Sequence, residues 1–147
     1  RHFRRFRAGH RYGPGGQADV VKISDEEAEF LFGLSPEEGA DHIVRNYPVK
    51  LVAVTCGKDG CIIRNKQAKA HVPALTGLKV IDTTGAGDIF GGSLMWKLLQ
   101  SGKKPEELDE EELYRTALFA CTSAGLSTTR PGGMYSLPAL EEVLERL

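Results

Sequence analysis

The alternation of apolar and polar positions changes period several times along the chain, and each change predicts an element. The run Ala18-Asp19-Val20-Val21-Lys22-Ile23 is short and β-branched, which predicts a buried strand. Ser24 then opens a helix, with Glu27 at capping-box spacing and Gly33 to close it. Ser35-Pro36-Glu37-Glu38 is a second helix start, with a cap, proline at the first helical position and acids in the first turn. That helix should run to about Asn46, where Tyr47-Pro48 stops it. Lys50 to Thr55 (KLVAVT) is the clearest strand, Gly57-Lys58-Asp59-Gly60 is a turn, and Cys61-Ile62-Ile63 begins the return strand of a hairpin. Residues 67–72 predict another strand and Lys79 to Asp82 (KVID) a last one.

Helical period takes over after that point. One helix is predicted from about Gly85 to Ser101, with Phe90, Leu94 and Leu98 on one stripe and Met95 and Leu99 beside it. Phe90 and Trp96 both read as core. A second helix starts at the N-cap Asp109, with Glu112 at the third position, and extends to about Thr128. Its inner face is small (Ala117, Ala120, Cys121, Ala124, Gly125), which lets it approach another backbone or a flat ligand closely. A third helix is predicted from Pro138 to the last residue. Strands mixed with helices, followed by helices alone, argue for a layered α/β domain.

Composition narrows the class. A chain of 147 residues, 41% apolar and 27% charged, suffices for one domain with a real core. No apolar run approaches the ~18 residues of a membrane helix, and the arginine-rich start has no apolar block behind it. Cys56, Cys61 and Cys121 make neither a disulfide framework nor a CxxC zinc pair, so a reducing, cytoplasmic setting is expected. Arg1, Arg4, Arg5, Arg7 and Arg11 stand in the first 18 residues with no acid, although the whole chain has a net charge of −1. Such a head could be a nucleic-acid arm or the start of a targeting peptide. The absence of periodicity and the Gly13-Pro14-Gly15-Gly16 run favour a disordered or non-native leader over residues 1–17, and argue against nucleic acid as a partner.

The chemistry concentrates in Asp82-Thr83-Thr84-Gly85-Ala86-Gly87-Asp88-Ile89-Phe90-Gly91-Gly92, where a predicted strand hands over to a helix. Gly85, Ala86 and Gly87 let the backbone bend and leave its N–H groups bare, and the helix dipole adds positive potential, which suits a phosphate. Asp88 cannot bind phosphate by charge. A carboxylate one turn inside the helix can instead accept the proton of a hydroxyl that attacks phosphorus. Acids in a first helical turn are also ordinary, worth roughly 0.3–1 kcal/mol. A dinucleotide fingerprint fits poorly, since the third glycine of Gly85-x-Gly87-x-x-x-Gly91 comes one place late and no ribose-binding acid follows a further strand. No Walker P-loop occurs.

DTTGAGDIFGG closely resembles the C-terminal signature of the PfkB (ribokinase-like) family of carbohydrate kinases, and the resemblance runs from about Ala18 to Pro138. VVKISDEEAEFLFG is similar to the family's segment at the edge of the nucleotide site, VTCGKDGCII to its nucleotide-binding hairpin, and ALFACTSAGLSTTRPGGMYSLP to its adenine-side helix and monovalent-cation loop. VKISDEE and LSTTRPGG are most similar to bacterial fructokinases. The resemblance implies the C-terminal half of a three-layer α/β/α fold, with a truncated central sheet flanked by helices, and places the nucleotide-binding and catalytic part in residues 18–147.

It also implies roles. Asp88 would be the general base, and Gly85, Ala86 and Gly87 the anion hole for the transferring phosphoryl group. Thr55, Gly57, Lys58 and Gly60 would line the ATP groove, with Lys58 and Asp59 at its solvent edge, and Cys121 would face the adenine where many relatives carry Asn or His. Asp82, Thr84, Ser127, Arg130, Gly132 and Ser136 match positions around a potassium ion. Ser24 replaces the asparagine of the NxxE element and keeps its Glu27, which belongs to the magnesium and phosphate environment. Ser93 stands where the signature prefers Gly or Ala. Each has an ordinary alternative: Ser24 and Glu27 as a capping box, Gly57 and Gly60 as turn glycines, Arg130 as a helix C-terminal cation, Cys121 as a small core residue.

The implied activity is phosphoryl transfer from ATP to a sugar hydroxyl, with magnesium and potassium, fructose being the expected acceptor. Sibling specificities (2-dehydro-3-deoxygluconate, ribose, a nucleoside) stay open, as does an inactive nucleotide-binding fragment, because the family's sugar contacts lie mostly in an N-terminal half that this sequence does not match. A homodimer is implied for the full-length form. An exposed sheet edge is expected, together with marginal stability or self-association and poor sugar phosphorylation by this chain alone. For the basic head, the leader reading predicts no nucleic-acid binding at about 0.15 M salt. Salt-sensitive binding that disappears when residues 1–17 are deleted would overturn it.

Overall fold

The computed structural model describes residues 18–147; the basic head, residues 1–17, lies outside the described residues. Strand β1 spans Val20–Ser24, followed by helices α1 (Asp25–Phe32) and α2 (Pro36–Asn46). Strands β2 (Leu51–Thr55), β3 (Cys61–Asn65) and β4 (Lys69–Val72) come next, then α3 (Ala86–Ser101), α4 (Glu110–Ser127) and α5 (Leu140–Leu144). Helix starts form where the sequence places caps. Ser24 Oγ accepts from Glu27 N–H at 3.1 Å while Glu27 Oε2 accepts from Ser24 N–H at 2.8 Å, and the pairs Ser35/Glu38 and Asp109/Glu112 repeat this exchange. Gly33, in the left-handed region at φ 64°, ends α1.

The sheet order is β1-β2-β3-β4, with β1 parallel to β2 and the next two pairings antiparallel. Side chains alternate across it. Val21, Ile23, Val52 and Val54 pack with Ala28, Ala40, Ile43 and Val44 of α1 and α2. Val20, Leu51, Ala53, Cys61, Ile63 and Val72 pack on the opposite face with Phe90, Leu94 and Leu98 of α3 and Leu113, Ala117 and Ala120 of α4. The result is the expected three layers, helices on both faces of one sheet. Among the described residues β1 pairs on one side only, so it is the free edge that the sequence led us to expect.

Three expectations need correction. Lys79–Asp82 is not a strand: it runs extended beside the end of α4, where Ile81 and Asp82 N–H groups both donate to Thr128 O, and Val80 and Ile81 stay exposed. The β-branched pair Val80-Ile81 predicts a partner strand, and a single carbonyl takes that role. Trp96 is not core; it is 40% exposed and stacks on Phe119, whereas Phe90 is buried as expected. The last helix covers only Leu140–Leu144, because Pro138 and Ala139 stay extended and Ala139 N–H donates to Glu142 Oε2 instead.

Asn65 closes the sheet's far corner. It is fully buried, accepts from Gln67 and Ala68 N–H through Oδ1 at 3.0 and 2.8 Å, and donates from Nδ2 to Pro105 O and Leu108 O at 3.1 and 2.8 Å. The β3–β4 turn is thereby tied to the segment that leads into α4. Replacing Asn65 with leucine removes the partner of Gln67 N–H, Ala68 N–H and Pro105 O, while Leu108 O keeps Gln67 Nε2, and we expect a loss of roughly 2–4 kcal/mol in urea unfolding. A change below about 0.5 kcal/mol, the range of ordinary surface substitutions, would show that water replaces the amide.

Candidate active site

Helix α3 begins on a bend that only its sequence allows. Gly85 sits at φ 79°, and a β-carbon there would meet Gly133 Cα at 3.3 Å, so a side chain would be strained twice over. Ala86, Gly87 and Asp88 form the first turn, and Ala86 N–H donates back to Thr83 O at 3.2 Å. Two cavities open on either side of this turn. One, of about 600 Å³, is lined by Thr55, Gly57, Lys58, Gly60, Ala86, Gly87, Cys121 and Gly125 among others. The other, of about 780 Å³, is lined by Thr84, Gly85, Asp88, Ser93, Trp96, Phe119 and Met134 among others.

The hairpin, the start of α3 and α4 therefore converge on one groove, which brings Thr55, Gly57, Lys58, Gly60, Gly87 and Cys121 together. The hairpin's shape depends on Gly60, at φ 88°, where a β-carbon would lie 1.9 Å from Val72 O. The groove floor is the small face of α4: a β-carbon on Gly125 would come within 3.2 Å of Leu75 and Leu78. Leu75, Gly77, Leu78 and Val80 themselves line the groove and were missed in the sequence. Their signal was the stretch after Pro73, whose Leu75 and Leu78 belong to no predicted element, whereas Val80 falls in the predicted strand Lys79–Asp82. Lys22 was missed as well. From β1 its Nζ comes to 3.0 Å from where a β-carbon on Gly87 would stand.

Ser24 and Glu27 do not join the groove lining; they are the reciprocal cap of α1, although Ser24 lies beside Thr55 in strand register. Glu27 thus has one carboxylate oxygen engaged by Ser24 N–H. Among the described residues no group of three or more His, Cys, Asp or Glu side chains could hold a metal ion.

The residues assigned to a monovalent cation fall into one loop cluster. Asp82 accepts from Thr84 N–H at 2.9 Å and Gly132 N–H at 3.3 Å, joining the start of α3 to the loop after α4. The Thr84 hydroxyl and these two amides hold the Asp82 carboxyl below its ordinary range. Ser127 Oγ donates to Ala124 O, Ser136 Oγ donates to Gly133 O, and the Arg130 guanidinium pairs with Glu142 rather than with the helix end. Asp82 is the one carboxylate among these residues, and both of its oxygens are engaged by backbone N–H groups.

Neither Cys56 nor Cys61 is poised for thiolate chemistry. Cys61, hydrogen-bonded to Cys121 and buried, is pushed far above the usual thiol range. Burial, then Asp25, Asp59 and Cys121, raise Cys56 to about 11. Ser93 Oγ donates to Ser123 Oγ at 2.9 Å, so the hydroxyl at this signature position bridges α3 to α4.

Comparison with known proteins agrees with this geometry. The model of the pfkB family carbohydrate kinases matches residues 14–140. Fructokinase-1 of Zea mays is 38% identical over 133 residues, covering 88% of this chain and 39% of that protein. A fructokinase double mutant from Vibrio cholerae, solved with fructose, ADP and potassium bound, superposes with a TM-score of 0.76 at 34% identity, covering 88% of this chain and 41% of its own. A ribokinase from Thermotoga maritima gives a TM-score of 0.70, also at 34% identity, over 86% and 41% of the two chains. The fold is thus ribokinase-like, and the chain spans about two-fifths of the length of the relatives it matches, 39% in the first case.

The Asp82 tie carries a sign. A carboxyl held below its unfolded value near 3.8 stabilises the fold above that pH and loses this contribution as pH falls through the lower, folded value. Glu142, lowered first by Arg130, acts in the same direction. Urea midpoints taken from pH 6 down to pH 2 should therefore fall more steeply below about pH 4 for the wild type than for Asp82→Asn. Parallel curves would show that the carboxylate ties nothing.

Proposed function

The chain belongs to the pfkB family of carbohydrate kinases, and from that premise we propose that residues 18–147 carry the nucleotide-binding and phosphoryl-transfer machinery of an ATP-dependent sugar kinase acting on fructose. One observation carries the reading: the first turn of α3 stands between two cavities, with Gly87 facing the hairpin groove and Asp88 facing the other. A donor nucleotide in the first and an acceptor hydroxyl in the second would meet over the first-turn backbone of α3 at Gly87 and Asp88.

Each residue then has a task. The adenine enters between the hairpin and the small face of α4, where Cys121 and Gly125 leave room for a flat ring. The triphosphate runs past Gly57 and Lys58 toward α3. The N–H groups of the α3 start hold charge that grows on the transferring group, and they need no rearrangement to do so. Asp88 accepts the proton of the attacking hydroxyl. Magnesium, when it accompanies the nucleotide, neutralises charge on the phosphates. For potassium, the oxygen cluster of Asp82, Thr84, Gly132 and Ser136 beside the anion hole is the place we assign, in line with the ion bound by the Vibrio relative.

Fructose is favoured by the similarity to fructokinases, and the equal identity to a ribokinase makes ribose the competing acceptor. The test is a calorimetric titration of the chain with ATP and magnesium, run in potassium and in sodium, followed by ADP release over a panel of sugars. We expect Asp88→Ala to bind ATP within about twofold of wild type, while fructose-dependent ADP release falls about 10²- to 10⁴-fold, the usual contribution of a general base. Absence of ATP binding in both salts would overturn the reading. So would a variant that keeps the wild-type rate.

A further inference from the structure

Lys22 occupies the middle of β1. Strand alternation sets it on the face it shares with Val20 and Ser24, the one that α3 and α4 cover. Its partner in register on β2 is Ala53, whose small side chain leaves the lysine stem room to run along the sheet. The ammonium ends 3.0 Å from the place a β-carbon on Gly87 would fill, so the charge stands against the second residue of α3. This is the positive end of the helix, where a cation is opposed by the helix field and an anion is favoured.

The position matters more than the charge alone. Gly87 lines the hairpin groove, and its neighbour Asp88 lines the opposite cavity. A phosphoryl group moving from one cavity to the other must cross the Gly87–Asp88 edge, and Lys22 stands at that edge. Position 87 also has a reason to be glycine, since a side chain there would crowd the ammonium.

We propose that Lys22 binds the transferring phosphoryl group, as the side-chain cation of an anion hole whose other donors are the backbone N–H groups of the α3 start. The proposal rests on the kinase reading and adds to it a residue about 60 positions away from the signature's anion hole in sequence, brought there by the sheet. Lysine suits this role as a compact ammonium on a flexible stem that can follow the phosphate as it moves.

The experiment compares magnesium-ATP, magnesium-ADP and adenosine by calorimetry on the whole chain, for wild type, Lys22→Met and Lys22→Gln, with thermal unfolding of each to verify folding. Losing a charge-assisted contact to the terminal phosphate should weaken ATP about tenfold or more, weaken ADP less, and leave adenosine within about twofold. The glutamine variant, neutral and polar, carries the same expectation if the methionine variant does not fold. ATP and adenosine affinities that change together, or an unchanged ATP affinity, would overturn the proposal and leave the kinase reading intact. A folded wild type that binds neither ATP nor adenosine would overturn both.

Discussion

Thr128 O accepts hydrogen bonds from two consecutive amides, Ile81 N–H at 2.7 Å and Asp82 N–H at 3.1 Å, and the placement of the site follows from that double contact. The segment it holds has no strand to pair with, so its backbone would otherwise be left to water. Anchored there, Asp82 reaches both Thr84 and Gly132, and Gly85 turns the chain into α3 against Gly133. The end of α4 thus fixes the start of α3. Because α4 also supplies the groove floor through Cys121 and Gly125, the hairpin groove and the first turn of α3 are positioned by the same helix.

The sheet contributes the other half of the frame. Its β2–β3 hairpin can lie close over β4 only because Gly60 has no side chain, and that closeness brings Gly57 and Lys58 to the mouth of the groove. Asn65 holds the opposite end of the same hairpin to the approach of α4. Both ends of β3 are therefore fastened by contacts that involve backbone, which tolerates little drift. The hydrophobic layers supply the bulk of the burial, while these polar and glycine contacts decide where the layers stop sliding.

Much of this was legible in the sequence because it is local. Ser24, Ser35 and Asp109 announce their helices through caps three residues long, and the hairpin and the small face of α4 follow from short-range pattern. The GAGD turn was legible too, as backbone chemistry in a fixed order. What escaped depends on distant partners. Lys79–Asp82 has strand-like residues but meets a helix end, Trp96 sits at a core-like helical position whose neighbours leave it partly open, and Leu75 and Leu78 acquire meaning only opposite Gly125. Arg130 looks like a helix-end cation until Glu142, 12 residues on, takes it. Ser24 matches a nucleotide-edge position by resemblance, and within the fold its hydroxyl caps α1.

Trp96 is the chain's single tryptophan, and it lies on the wall of the cavity that contains Asp88, stacked on Phe119 at 5.2 Å between ring centroids with Lys97 against the same phenyl ring. No residue of the hairpin groove carries an indole. The molecule is therefore spectroscopically asymmetric: its one strong ultraviolet emitter faces only one of two adjoining compartments. Filling that compartment changes the polarity and packing around the ring directly. Filling the groove reaches the ring only through the turn of α3 that separates them, so the indole's emission distinguishes an event on its own side from one transmitted across the helix.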